Sequence, residues 1–146
     1  LSPSINDSTT AVTCVDYLTA ILSTLGKRPS CPSNIFKDGN LRLIVEQQRF
    51  EDFFDLAFNQ IRQNAGGNVA VILRQLNSIN ILSKINIELV CEDERAERHE
   101  LMKNQAILLY DLAKATVKAE QDLEVINRYY AKVQKSLAER EEKINI

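Results

Sequence analysis

Apolar residues recur at Phe50, Phe53, Phe54, Ala57, Phe58 and Ile61 within FEDFFDLAFNQIRQ, the i, i+3, i+4, i+7, i+8 series that keeps one face of a 3.6-residue helix continuously apolar. A half-buried strand would alternate, and this stretch does not. It holds four of the chain's five phenylalanines. Burying one such ring is worth roughly 1.5–3 kcal/mol, so four together rival the ~5–15 kcal/mol net stability of an ordinary domain. The pattern predicts a helix on which the rest of the chain packs.

Upstream, Ala11, Val15, Leu18, Leu22 and Leu25 mark a first amphipathic helix. Asp7 is its natural N-cap, since a short carboxylate accepts from first-turn amides and meets the positive end of the helix dipole; Gly26 is expected to close it at C′. The run KRPSCPSN, residues 27–34, carries two prolines and reads as loop. Residues 35–37 and 41–45 then flank Asp38 and Gly39, a pairing that predicts a short hairpin. Two strands alone are marginal, so the hairpin is expected to lean on the helices.

Gly66 and Gly67 end the phenylalanine helix, and Asn68 caps the next, whose inward face is Val69, Ile72, Leu73, Leu76 and either Ile79 or Ile81. The double glycine predicts an antiparallel turn, and Arg62 and Arg74 are expected across it as ion-pair partners of the embedded carboxylates Asp16, Asp52 and Asp55. KINIELVCEDE has mixed periodicity and reads as a linker with a possible extended piece. Beyond Glu92, one stripe runs Met102, Ala106, Leu109, Ala113 and another Leu123, Ile126, Tyr130, Val133, Leu137. The ATVKAEQD between them lacks Gly and Pro, which leaves one long helix open; Asp122 as an N-cap favours a break. The expected fold is all-α in the main, a bundle of about five helices with a short β-hairpin between the first and second, forming one domain over residues 1–146.

Composition supports this picture. Gly (4) and Pro (3) are scarce in 146 residues, which suits long helices better than a turn-rich sheet. A formal charge of −2 leaves no basic face to neutralise phosphates, so nucleic acid is not expected as a partner, and electrostatic membrane docking is disfavoured likewise. Cys14, Cys31 and Cys91 are odd in number, without CxxC spacing and with a single histidine beside them; they read as free thiols of a reducing compartment. No apolar run reaches 18 residues and no signal peptide is present. The missing initiator Met suggests a piece of a longer chain.

Few residues suggest chemistry. Asp16, Asp52 and Asp55 sit within otherwise apolar helical faces, where paired carboxylates could serve acid/base work or bind a hard cation. With Asn6, Asp7 and Arg62 they form the candidate polar cluster for a ligand or for structure. Glu51, Asp52 and Asp55 also lie near a helix start, where the dipole alone favours negative charge. Cys91 and His99 are eight residues apart, about 12 Å along one helix, too far for direct proton transfer. Asn6, Asp7 and Ser8 spell a glycosylation sequon at odds with the cysteine pattern. EDERAER, from Glu92, reads as a solvated helix start with i, i+4 pairs. No phosphate-binding glycine loop, HExxH or GxSxG is found. No metal site, cofactor or enzymatic activity is therefore expected.

The segments LSPSINDSTTAVTCVDYL, FEDFFDLAFNQIRQ and GGNVAVILRQL resemble the C-terminal soluble part of a family of predicted bacterial membrane proteins, the domain of unknown function 2254, over about the first two-thirds of the chain. In that family the first motif is followed by Pro and the helix after the second begins Asp-Pro; here Ser8 and Val69 stand at those N1 positions, while Asp7 and Asn68 remain capable caps. The resemblance implies an upstream transmembrane region and a place in the bacterial inner membrane, with this segment on the cytoplasmic side, and carries over no activity. The functional expectation is a cytoplasmic interaction or regulatory domain that self-associates through its C-terminal helices; the alternative is a small-molecule or metal-responsive sensor using the embedded carboxylates.

Overall fold

A computed structural model describes residues 7–28, 34–44, 49–88 and 91–144. Among these, five helices form one bundle: α1 (Ser8–Gly26), α2 (Phe50–Asn64), α3 (Val69–Ile87), α4 (Glu92–Thr116) and α5 (Glu120–Ile144). An antiparallel hairpin of β1 (Asn34–Lys37) and β2 (Asn40–Ile44) lies between α1 and α2. The expected mainly helical architecture is the observed one.

The hub is α3, which packs against α1, α4 and α5, while α2 lies chiefly against α1 and α4. The phenylalanine helix is thus enclosed without being the element that the others share. Phe50, Phe54 and Phe58 are buried, with Phe54 and Phe58 stacked at a centroid distance of 4.4 Å; Phe53 remains 37% exposed. On α3, Ile72, Leu76, Ile79 and Leu82 enter the core and Ile81 faces out. The double-glycine break does not lay α2 along α3; the two splay. Arg74 does pair with the embedded carboxylate Asp16 of α1, while Arg62 bonds within its own helix.

Both ends of α1 follow from short-range chemistry. The Asp7 carboxylate accepts from the Thr9 amide at 2.9 Å and from the Thr10 hydroxyl. Gly26 is not the C′ residue: the helix includes it, and Lys27 caps in a right-handed conformation. The glycine is buried against Phe50 and Ile85. Gly67 does use its conformational freedom, at φ +74°, and its amide donates to Thr116 Oγ1 at 2.8 Å.

That bond ties the α2–α3 turn to the α4–α5 turn. It also helps explain a helix break made without Gly or Pro: Thr116 is held from outside its helix, and Val117 takes an extended conformation with its side chain in the core. Asp122 lies inside α5, not at its cap. The linker assigned to KINIELVCEDE is largely helical, since α3 continues through Ile87 and α4 begins at Glu92; Cys91 between them is extended.

The hairpin turns at Asp38 and Gly39, both with positive φ (55° and 74°), the conformation a tight two-residue connection requires. It does not lean on the helices. Every residue of both strands is exposed, and neither strand packs substantially against any helix.

Removing a ring from the centre of the stack leaves a cavity, whereas removing one at the rim does not. Phe54→Ala should cost about 3–5 kcal/mol and Phe53→Ala under ~1 kcal/mol. Urea midpoints decide it: a Phe54→Ala chain melting with the wild type would be incompatible with this core.

Candidate functional site

Among the described residues, the candidates that the sequence brings forward bond to separate partners. Asp7 is engaged in capping α1, beside a cleft of about 300 Å³ where Ser8, Cys14, Gln60, Asn64 and Asn68 also contribute. The Thr10 hydroxyl and then the Thr9 amide hold its carboxyl below the usual carboxylate range. Asp16 forms an ion pair with Arg74 at 2.7 Å, bridging α1 and α3. Asp52 accepts the Arg49 amide at 2.8 Å, the carboxylate half of a capping box. Asp55 is exposed, and Arg62 donates to Asn59 of its own helix at 3.3 Å. Asn6 lies outside the described residues. Among the described residues no three His, Cys, Asp or Glu side chains come together to hold a metal ion. Cys14 and Cys91 are unpaired thiols.

The buried charges lie elsewhere, at the end of the bundle where α1 stops and α2 and α4 start. Arg98 is almost fully enclosed. Its Nη1 donates to the Gly26 carbonyl at 3.2 Å, its Nη2 meets Glu94 at 3.0 Å, Glu51 lies 3.7 Å from Nε, and the guanidinium carbon stands 4.5 Å over the Phe50 ring. One cation thus closes the C-terminus of α1 and joins the first turns of α2 and α4. EDERAER is therefore not wholly a solvated run, because its last residue is a core side chain. An outer layer surrounds it: Arg49 meets Glu97 at 2.7 Å and Glu51 at 3.3 Å, and the hydrogen bond to Glu97 followed by the charge of Glu51 raises its pKa.

A second buried arginine joins α5 to α3. Arg140 Nη1 donates to the Asn80 carbonyl at 3.1 Å, to Asn80 Oδ1 at 2.9 Å and to Ser83 Oγ; burial lowers its pKa. Farther along α5, Tyr129 donates to Asn77 Oδ1 at 2.9 Å. Asn77, Asn80 and Ser83 are three residues apart, so they form one polar stripe on α3 facing α5. Lys103 of α4 reaches Glu141 of α5 at 3.0 Å, which raises the lysine pKa.

His99 is buried nearby with no hydrogen-bond partner on either ring nitrogen among the described residues. Burial is the first cause of its lowered pKa; Glu141 and Glu100 oppose the shift, while Lys103 and Arg140 add to it. A neutral imidazole in such a place is a proton acceptor that takes up its proton only at an energetic cost to the fold. In the sequence His99 stands out only for its spacing from Cys91, which is the N-cap of α4. The i, i+4 spacing of Glu94 and Arg98 is a legible sign of their pairing. That Arg98 and Arg140 are buried depends on contacts from other helices.

Geometry of this kind defines a helical module whose buried ionic groups join helix ends. The chain belongs to the family DUF2254, a predicted membrane protein, whose model matches residues 1–80. No curated protein and no solved structure matches it. Among the described residues no helix is long and apolar enough to cross a membrane.

With its folded-state pKa below 6.5, His99 binds fewer protons folded than unfolded as the pH falls through that value. Its contribution to stability is therefore complete above about pH 6.5 and is lost as the pH drops toward the depressed folded value. His99→Leu should flatten the pH dependence of the urea midpoint in that window. Superimposable wild-type and variant profiles would remove His99 as the source.

Proposed function

We propose that the chain serves as a helical interaction and regulatory module of a membrane protein, on the cytoplasmic side, and binds partners without turning over a substrate. A membrane-spanning region elsewhere in the same protein would hold it there, in keeping with its family and with the lack of a membrane-crossing helix among the described residues. A non-catalytic role accords with how Arg98, Arg140 and Asp16 are used, each bonded to the chain's own groups.

The observation that carries this reading is the outer face shared by α1 and α2. An apolar furrow of about 280 Å³ runs between them, lined by Leu18, Ile21, Phe53, Leu56 and Ile61 among others, with no ionisable side chain in the lining. Ile21 is 55% exposed and Leu56 60%, and Tyr17 extends the same side. Contiguous apolar surface of this sort marks an interaction site. The occupant proposed is a second copy of the chain: an uncharged furrow can meet itself about a two-fold axis without trapping like charges.

On this reading self-association uses the N-terminal helices in place of the C-terminal ones expected from the sequence. The C-terminal stripe is largely spent internally, with Ile126, Val133 and Leu137 in the core; Ile107, Leu108 and Val125 are what α4 and α5 leave outside. In sedimentation velocity the wild type should show a concentration-dependent dimer, and Leu56→Arg should weaken it by at least about tenfold through an unpaired charge in the interface. A wild type that stays monomeric at high concentration would overturn the reading.

A further inference from the structure

The hairpin is the least explained part of the molecule. Two antiparallel strands on their own are marginal in water, and these two have no helix to cover them. Yet they carry Ile35, Phe36, Leu41, Leu43 and Ile44, all exposed, with Phe36 at 61% and Ile44 at 70%. The register pairs Ile35 with Leu43 and Phe36 with Leu41, with an irregularity between the two pairs. Directly paired residues share a face and successive residues alternate. Phe36, Leu41 and Ile44 therefore lie on one face, with Ile35 and Leu43 on the other. A strand made to cover a protein core presents one apolar face and one polar face; this ribbon is apolar on both.

Its charge also differs from that of the chain. Among 18 Lys and Arg and 20 Asp and Glu in all, residues 27–49 hold five basic and two acidic residues, so a chain of net charge −2 becomes locally positive here. Lys37 and Arg42 are exposed on the hairpin, and Lys27 and Arg28 are exposed just past the end of α1. The overall charge that argues against membrane docking averages away this segregation.

We propose that the hairpin is a membrane-contact element that seats its apolar side chains in the interfacial region of an anionic bilayer, with Lys37, Arg42, Lys27 and Arg28 meeting the headgroups. Three observations choose this occupant over a second copy. Hairpin-to-hairpin pairing would bring two sets of basic side chains together, whereas an anionic surface complements them. Side chains apolar on both faces suit a medium that can surround the ribbon, as the acyl boundary does. The acidic remainder of the chain is repelled by the same surface, which orients the molecule hairpin first. The inference does not rest on self-association through α1 and α2, which is read without lipid.

The chain has no tryptophan, so Phe36→Trp introduces a single indole reporter at the hairpin. Adding vesicles of equimolar phosphatidylglycerol and phosphatidylcholine to the full 146-residue chain should shift its emission to the blue and carry the protein down on sedimentation. Vesicles of phosphatidylcholine alone should do so far less, and added salt should reverse the binding. Lys37→Glu combined with Arg42→Glu should raise the apparent Kd about tenfold or more; Leu41→Ser combined with Leu43→Ser should weaken binding independently of charge. Because these side chains lie outside the core, the helical circular dichroism should be retained in every variant. Absence of binding by the wild type, equal binding to both vesicle types, or binding untouched by either double substitution would overturn the proposal. So would a lipid-free dimer abolished by the hairpin substitutions and not by Leu56→Arg, which would make the occupant a second copy.

Discussion

The constraint that organises this molecule is the enclosure of α3. A helix packed on three neighbours can present little of itself to water, so whatever polar side chains it carries must find partners inside. Gln75, Ser78, Ser83 and Asn86 are all buried on it, and each is answered from another element or from a nearby turn. Gln75 donates to the Phe58 carbonyl of α2, Thr19 of α1 donates to Ser78 at 2.7 Å, and Asn86 donates to the Arg95 carbonyl of α4 at 2.8 Å. Arg140 of α5 meets Ser83. Apolar burial supplies the driving force and turns each helix's apolar stripe inward. The polar contacts between α3 and its neighbours add direction to that packing.

The two ends of the bundle are closed by different chemistry. At one end the connections are short, and neutral hydrogen bonds suffice: Gly67 to Thr116, and Asn68 to Ser8 at 2.8 Å. At the other, α1 and α2 are separated by the hairpin segment and share no tight turn. There the buried Arg98 draws together the Gly26 carbonyl of α1 and the acidic first turns of α2 and α4. A guanidinium suits this place because its planar set of donors can serve a carbonyl and carboxylates at once while its face lies on Phe50. A lysine would offer one point charge and no stacking surface.

Much of the fold is legible in the sequence because amphipathic periodicity is a local property. Asp7 and Asn68 cap as their positions predict, and the Asp38–Gly39 turn forms as expected. The hub position of α3 is not legible: a helix enclosed by three neighbours carries buried polar residues on several faces, which blurs the very periodicity used to find it. The same blurring makes Lys84–Ile87 read as linker. The break between α4 and α5 is expected from the sequence, but its place after Thr116 depends on an amide 49 residues away, at Gly67, not on an Asp122 cap. Of the candidate residues, those with local partners, Asp7 and Asp52, behave as position predicts. Arg98 and Arg140 gain their burial only from the tertiary arrangement, and in sequence they look like surface charges.

The outcome is a partial inversion of the usual distribution of residue types. Two arginines and a histidine are enclosed, while large apolar side chains on α1, α2 and both strands face outward. The enclosed charges are matched by carbonyls, carboxylates and a ring, so their burial has an internal cause. The exposed apolar groups are left uncovered by the described residues. Moreover they fall into two sets that differ in charge: an uncharged furrow on the helices, and a ribbon set among basic side chains. One nonspecific tendency to stick would not separate them in this way. Two surfaces of unlike electrostatics are what the two proposals, a second copy on the helices and an anionic bilayer at the hairpin, each start from.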